Sequence, residues 1–203
     1  WLLHQHRMDE PGVGPAGVMV VARTLTQEND VKLTDWLAEH VTDDPRALQW
    51  FDAAEAEGRI IRCYKELLSG YTVDPSKILK TTRTVKPNEQ TATVQVDNIA
   101  FYSICAHHFL PFFGNVSITY VPGDRILGLG KLPRLVDAYA RRFQIQEDLV
   151  RDVAREMMES GHARGVRVKS EARHLCMISR GPQSPDALTR TEIALGCLDD
   201  GNA

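Results

Sequence analysis

The chain has 203 residues, 43% of them apolar and 25% charged, with a formal net charge of -3. That is the make-up of a globular protein with one sizeable core, and it gives no reason to expect a nucleic acid or an anionic membrane surface as partner. Four cysteines, Cys63, Cys105, Cys176 and Cys197, are too few for a disulfide-dense secreted scaffold, and no segment stays apolar long enough to span a bilayer.

Residues 1–23 read as a flexible lead-in, with Pro11, Gly12, Gly14, Pro15 and Gly17 clustered. Trp1 to Arg7 precede Met8 and are set aside from the fold. The apolar stretch over 17–22 is too short for a signal peptide, so the expected location is the cytoplasm, where thiols stay reduced. An N-terminal helical segment is expected over 24–70. Within it, residues 26–41 show helical periodicity through Val31, Leu33, Trp36, Leu37 and Val41. Asp44-Pro45 then opens a second helix that is expected to run to Leu68 and stop at Ser69-Gly70.

The remainder, 71–203, is expected to form one domain. From Thr91 the apolar period changes to two, and strands are predicted over 91–104, 115–121, 166–172 and 174–180, with a short return over 126–129 after the Pro122-Gly123-Asp124 turn. Two helices are predicted between them, over 132–142 and 146–159. Strand pairs framing two helices define an α+β fold with an antiparallel sheet.

Cys105-Ala106-His107-His108 places a thiol and an imidazole three residues apart where a strand ends. Zinc accepts both donors, and catalytic zinc sites use three protein ligands and leave the fourth position to water. Cys176, in His174-Leu175-Cys176, is the best third ligand. The bland alternative is a pair of buried core thiols with histidines capping a strand, since free cysteine is commonly buried. Two features weigh against it: each cysteine has a histidine within two residues, and the local sequence supplies no fourth strong ligand. Three ligands imply a water acidified enough to attack at neutral pH. His107 and His174 are then the candidate acid–base groups. Cys63 and Cys197 read as structural thiols, and His4, His6, His40 and His162 as surface residues.

Over most of 59–196 the chain resembles the GTP cyclohydrolase I family. The resemblance is carried by Leu68-Ser69-Gly70-Tyr71 with Asp74-Pro75, by Phe101-Tyr102-Ser103 and by Leu110-Pro111-Phe112-Phe113-Gly114. Further matches are Ile126-Leu127-Gly128-Leu129, Ala140-Arg141-Arg142, Gln144-Ile145-Gln146-Glu147, His174-Leu175-Cys176-Met177 and Arg180-Gly181. It implies a tunnelling fold, a homodecamer of two stacked pentamers, and active sites between subunits. The implied reaction acts on a cyclic amidine: GTP is opened at C8 of guanine, formate leaves, and the ribose is rearranged to give 7,8-dihydroneopterin triphosphate.

By matching positions, the resemblance makes Cys105, His108 and Cys176 the ligands of Zn2+, and His107 and His174 the catalytic histidines. Glu147 with Gln146 becomes the guanine reader, and a carboxylate suits the N1–H and exocyclic amine of guanine. Lys131, Arg134 and Arg180 match the triphosphate positions, with Arg59 and Arg62 reaching from the N-terminal helix. Arg62 stands where the family has lysine.

The chain departs from the pattern at four single positions and in one three-residue segment. Ala106 replaces a glutamate, Gly130 a serine implied in the ribose rearrangement, Asp148 an arginine and Glu192 a serine, and Ala56-Glu57-Gly58 replaces Thr-Pro-Arg. An alternative outcome is therefore an enzyme that stops at a formamido- or diaminopyrimidine nucleotide. Another is a non-catalytic guanine-nucleotide-binding homologue, against which the retained ligands and histidines count. A structural zinc protein would need a fourth ligand, and a nitrile-reducing relative a different cysteine arrangement.

Overall fold

The computed structural model describes residues 32–199, and the chain divides after Ala53 into two compact units. In the first, helix α1 (Leu33–His40) and the short helix α2 (Pro45–Leu48) are described; the part of the first expected helix before Lys32 lies outside the described residues. Asp44 caps α2 as expected, its carboxylate accepting from the Arg46 amide at 2.9 Å. The long helix expected from Asp44 is corrected: the chain leaves α2 at Gln49 and re-enters helix only at α3 (Ala56–Leu67), in the second unit. Trp50 and Phe51 continue the apolar pattern across that break and conceal it.

Two 3-10 turns follow, Ser69–Thr72 and Pro75–Lys77, and then β1 (Thr81–Thr84). The first turn lies against the end of a later helix so closely that a Cβ on Gly70 would meet the Ala138 carbonyl oxygen at 2.2 Å.

The main sheet has five strands in the order β5-β2-β3-β6-β7. These are β2 (Val94–Cys105), β3 (Pro111–Pro122), β5 (Phe143–Gln144), β6 (Ala163–His174) and β7 (Thr189–Gly196). All neighbours pair antiparallel except β5, which meets the end of β2 in parallel. The short return β4 (Arg125–Leu127) pairs with β1 in a separate ribbon. Helices α4 (Lys131–Ala140) and α5 (Gln146–Glu159) fall between β4 and β6. This strand-strand-helix-helix-strand-strand order is the tunnelling fold expected from the sequence.

One face of the sheet is apolar because alternate residues of β3 (Val116, Ile118, Tyr120) and β6 (Val166, Val168, Ala172) are buried. In β2 the alternation changes parity: Val94 and Val96 face the same way as Ile99 and Phe101. A bulge at Asn98, whose φ is 57°, takes up the extra residue. Leu132, Leu135, Val136 and Tyr139 of α4, and Leu149, Val150, Val153 and Met157 of α5, recur at helical spacing and close the core.

One expectation near the C-terminus is corrected. Residues 174–180 are not a strand: β6 runs through to His174, and Leu175–Ile178 form a helical turn, α6. The fourth long strand is β7, on the edge beyond β6.

Candidate metal centre and its surroundings

Cys105 is the last residue of β2, and the chain turns back into β3 within five residues. The Cys105 amide donates to the Leu110 carbonyl and the Phe109 amide to the Cys105 carbonyl, both at 2.9 Å. Phe109 closes this turn with φ at 60°, and its ring packs on Tyr64 of α3 and on Phe143, each with centroids 4.8 Å away. From the other side, the Ala106 amide donates to the Gln144 carbonyl at 3.2 Å.

Antiparallel register brings the second half of the cluster. Phe112 at the start of β3 faces His174 at the end of β6, so the turn that follows His174 carries Cys176 to the same end of the sheet as Cys105. One donor atom from each of Cys105, His108 and Cys176 lies within 4.8 Å of the other two. Both thiols are buried, while His108 is exposed and leaves the cluster open on one side. Burial pushes the Cys176 thiol up, and the neighbouring Cys105 pushes it further, against a smaller downward pull from Arg180. Two thiols and an imidazole converging at a sheet end fit zinc by donor type and number.

Both remaining histidines lie beside the cluster. The Nδ1 of His107 is 4.0 Å from Cys105 Sγ. His174 stacks on Phe112, with centroids 4.6 Å apart and planes 3° apart, and its Nε2 is 2.9 Å from Gln146 Oε1. Burial holds the His174 imidazole below the ordinary histidine range, with the Glu147 carboxylate pulling weakly the other way. Glu147 is exposed on the first turn of α5, whereas Gln146 beside it is only 1% exposed.

The cationic residues are dispersed. Arg180 follows α6, close enough to Cys176 to act on its thiol, and Arg59 and Arg62 are exposed on α3, the helix whose Tyr64 touches the metal-side turn. Lys131 and Arg134 sit at the start of α4, whose other end meets Gln144 beside Cys105. Lys131 opens this ten-residue helix, which spans about 15 Å, and Arg134 lies about one turn further along it. Arg134 lines a 460 Å³ groove with Val73, Ile78, Pro133 and Asp137.

Three departures now have structural places. Asp148, in the first turn of α5, pairs with Arg151 at 2.5 Å, where a helix N-terminus favours a carboxylate. Glu192 bridges Arg167 at 3.3 Å and Lys169 at 3.2 Å on the sheet face away from the helices. Gly130 precedes α4 with ordinary right-handed torsions, and a Cβ there would meet nothing within 4 Å.

Sequence reasoning passed over the residues that hold this site in place. Phe109 carried no motif signal, and Gln144, though inside a matched motif, gave no sign that its side chain would turn inward. Its Nε2 donates to the carbonyls of Tyr139 at 2.6 Å and Ala140 at 3.1 Å and to Ser103 Oγ at 3.0 Å.

Fold and site together define a class: an α+β protein with a three-donor Cys/His/Cys cluster of metal-binding type and two further histidines beside it. The comparisons with known proteins name the family. The family model described as GTP cyclohydrolase I matches residues 34–203. GTP cyclohydrolase 1 of Campylobacter jejuni subsp. doylei is 43% identical over 138 residues, 68% of this chain and 72% of that protein. The Campylobacter lari protein of that name is 44% identical over the same shares. The Wolinella succinogenes protein is 41% identical, covering 68% of this chain and 73% of its own.

Among solved structures, an archaeosine synthase QueF-Like in the apo form is similar with a TM-score of 0.45 and 17% identity, over 53% of this chain and 97% of that one. E. coli dihydroneopterin aldolase in complex with neopterin gives 0.41 and 14%, over 52% and 100%. The chain belongs to the GTP cyclohydrolase I family and is a hydrolase of that type.

Proposed function

We propose that the chain hydrolyses the imidazole ring of the guanine in GTP at C8, releases formate, and carries the product on to 7,8-dihydroneopterin triphosphate. The observation that carries this reading is the convergence of Cys105, His108 and Cys176 within 4.8 Å, with His107 and His174 alongside. Zinc held by these three residues would supply a Lewis acid and acidify water at neutral pH.

The chain's own groups do the rest. Glu147, exposed beside His174, accepts from the N1–H and amine of guanine and orients C8 towards the cluster. His174, kept neutral by burial, accepts a proton, and His107 donates one to the departing ring nitrogen. Arg180, Arg59, Arg62, Lys131 and Arg134 neutralise the triphosphate.

Lys131 and Arg134 lie in the first turn of α4, whose other end meets Gln144 beside Cys105, and in this reading a second copy of the chain supplies them to each site. Sheet edges suit such an assembly: among the described residues β7 pairs on one side only, and β2 meets β5 only at Ile104 and Cys105. A homodecamer of two pentamers is the proposed form. All four cysteines are free thiols, which suits a reducing, cytoplasmic setting. No helix among the described residues is long and apolar enough to cross a membrane.

Gly130 favours a second reading, in which the reaction stops at a formamido- or diaminopyrimidine nucleotide because the hydroxyl for the ribose rearrangement is missing. Mass spectrometry of GTP incubations separates the two. Dihydroneopterin triphosphate, fluorescent after oxidation, is the expected product. A ring-opened pyrimidine nucleotide that Gly130→Ser converts to the pterin would favour the second reading, and intact GTP would contradict both. Gly130→Ser should fold with stability unchanged within about 0.5 kcal/mol, because the added side chain enters open space.

A further inference from the structure

The Gln146 side chain is fully engaged inside the protein. Its Nε2 lies 3.2 Å from each of the Ser170 carbonyl, the Ser170 hydroxyl and the Thr189 carbonyl, and its Oε1 lies 2.9 Å from His174 Nε2. Carbonyl oxygens only accept hydrogen bonds, so the amide nitrogen must face Ser170 and Thr189. Turning the amide over would set its oxygen against two carbonyl oxygens in a site that is 1% exposed. The amide oxygen therefore faces the His174 ring, and as it too can only accept, the ring nitrogen opposite it must carry a hydrogen. A neutral imidazole has one N–H, which leaves Nδ1 bare. A half-turn of the ring would put Cε1 in the place of Nε2 and forfeit the 2.9 Å contact with Gln146, so the orientation that keeps this bond is the one with Nε2 facing Oε1.

We infer that Gln146 is a positioning residue that locks His174 as the Nε2–H tautomer, so that Nδ1 is the ring's one lone-pair nitrogen. The anchors are two strands: Ser170 lies on β6 and Thr189 opens β7, so the sheet itself sets the tautomer. The inference concerns which nitrogen of a neutral ring carries its hydrogen, not whether the ring is charged. Its consequence for turnover rests on the catalytic reading of His174: any proton that His174 accepts goes to Nδ1. Base reading then falls to Glu147, since no polar atom of the Gln146 side chain is left over.

The test is a nitrogen-15 spectrum of histidine-labelled, zinc-loaded protein above the histidine titration range, with the His174 signals assigned by their loss in His174→Gln. The expected pattern is a pyrrole-type Nε2 and a pyridine-type Nδ1; the reverse would overturn the inference. Gln146→Met removes the acceptor and should give mixed tautomers, with kcat for GTP down about 10-fold to 100-fold and KM within about twofold. Unchanged signals in that variant, or a loss confined to KM, would contradict the assignment. If Gln146→Met does not fold, the wild-type spectrum decides the tautomer alone. Wild-type protein that leaves GTP intact would sink the ring-opening reading, while the same spectrum would still decide the tautomer.

Discussion

The turn that presents Cys105 and His108 closes through Phe109, a bulky residue in left-handed backbone at φ 60°. That conformation costs about 1–2 kcal/mol for a residue with a Cβ. The Tyr64 and Phe143 rings against Phe109 offset it, as such aromatic pairs contribute about 0.5–1.5 kcal/mol each. Phe109→Ala keeps the strain and loses both contacts, so we expect a stability loss of about 1–3 kcal/mol in denaturant titration and a weaker zinc dissociation constant. Unchanged zinc affinity would mean that the turn is held by its hydrogen bonds alone.

His174 sets a pH dependence whose sign follows from its burial. Its folded-state pKa lies below that of the unfolded chain, so on acidification the unfolded form binds the proton first. This contribution is complete above the ordinary histidine value of about 6.5 and is lost as pH falls through and below it. His174→Gln should flatten the decline of melting temperature over that range; an equally steep decline would place its source elsewhere.

At the scale of elements, α4 ends through the Gln144 side chain, which donates to the Tyr139 carbonyl that the helix leaves unpaired and to the Ala140 carbonyl, which also accepts from the Arg142 amide at 2.8 Å. Gln144→Ala strands the Tyr139 carbonyl in a buried site and should cost about 1–3 kcal/mol, read as a lower denaturant midpoint. Zinc content should persist, because the Ala106 amide bonds to the Gln144 main chain, which the substitution keeps. What could be foreseen from the sequence follows the strength of the apolar period. Helix α5 was expected over its observed span, since Leu149, Val150, Val153, Ala154 and Met157 hold helical spacing without interruption. Leu175–Ile178 are too short a run to tell strand from helix by pattern, and the turn they form depends on where β6 ends. Strand β7 escaped notice because an edge strand with half-exposed Thr189, Thr191 and Ile193 lacks the clean alternation of a covered one.

For the whole molecule, the convergence of residues 71 positions apart in sequence was legible only as chemistry. Cys105 and Cys176 could be matched by ligand type, but what joins them is the register of β3 on β6, a tertiary fact. The placement of Lys131 and Arg134 relative to the metal end was not legible at all, because it depends on the direction in which α4 runs. Their supply by a second copy makes assembly part of the chemistry in our account.

The central claim is that the Cys105, His108 and Cys176 cluster holds the zinc that opens GTP. Formate released per GTP consumed, measured alongside zinc per chain in the wild type and in Cys176→Ala, tests it most directly. We predict equal amounts of formate and consumed GTP from zinc-loaded wild type. The folded variant should lose both its zinc and its formate release. A variant that releases formate at the wild-type rate, or a zinc-loaded wild type that leaves GTP intact, would contradict it.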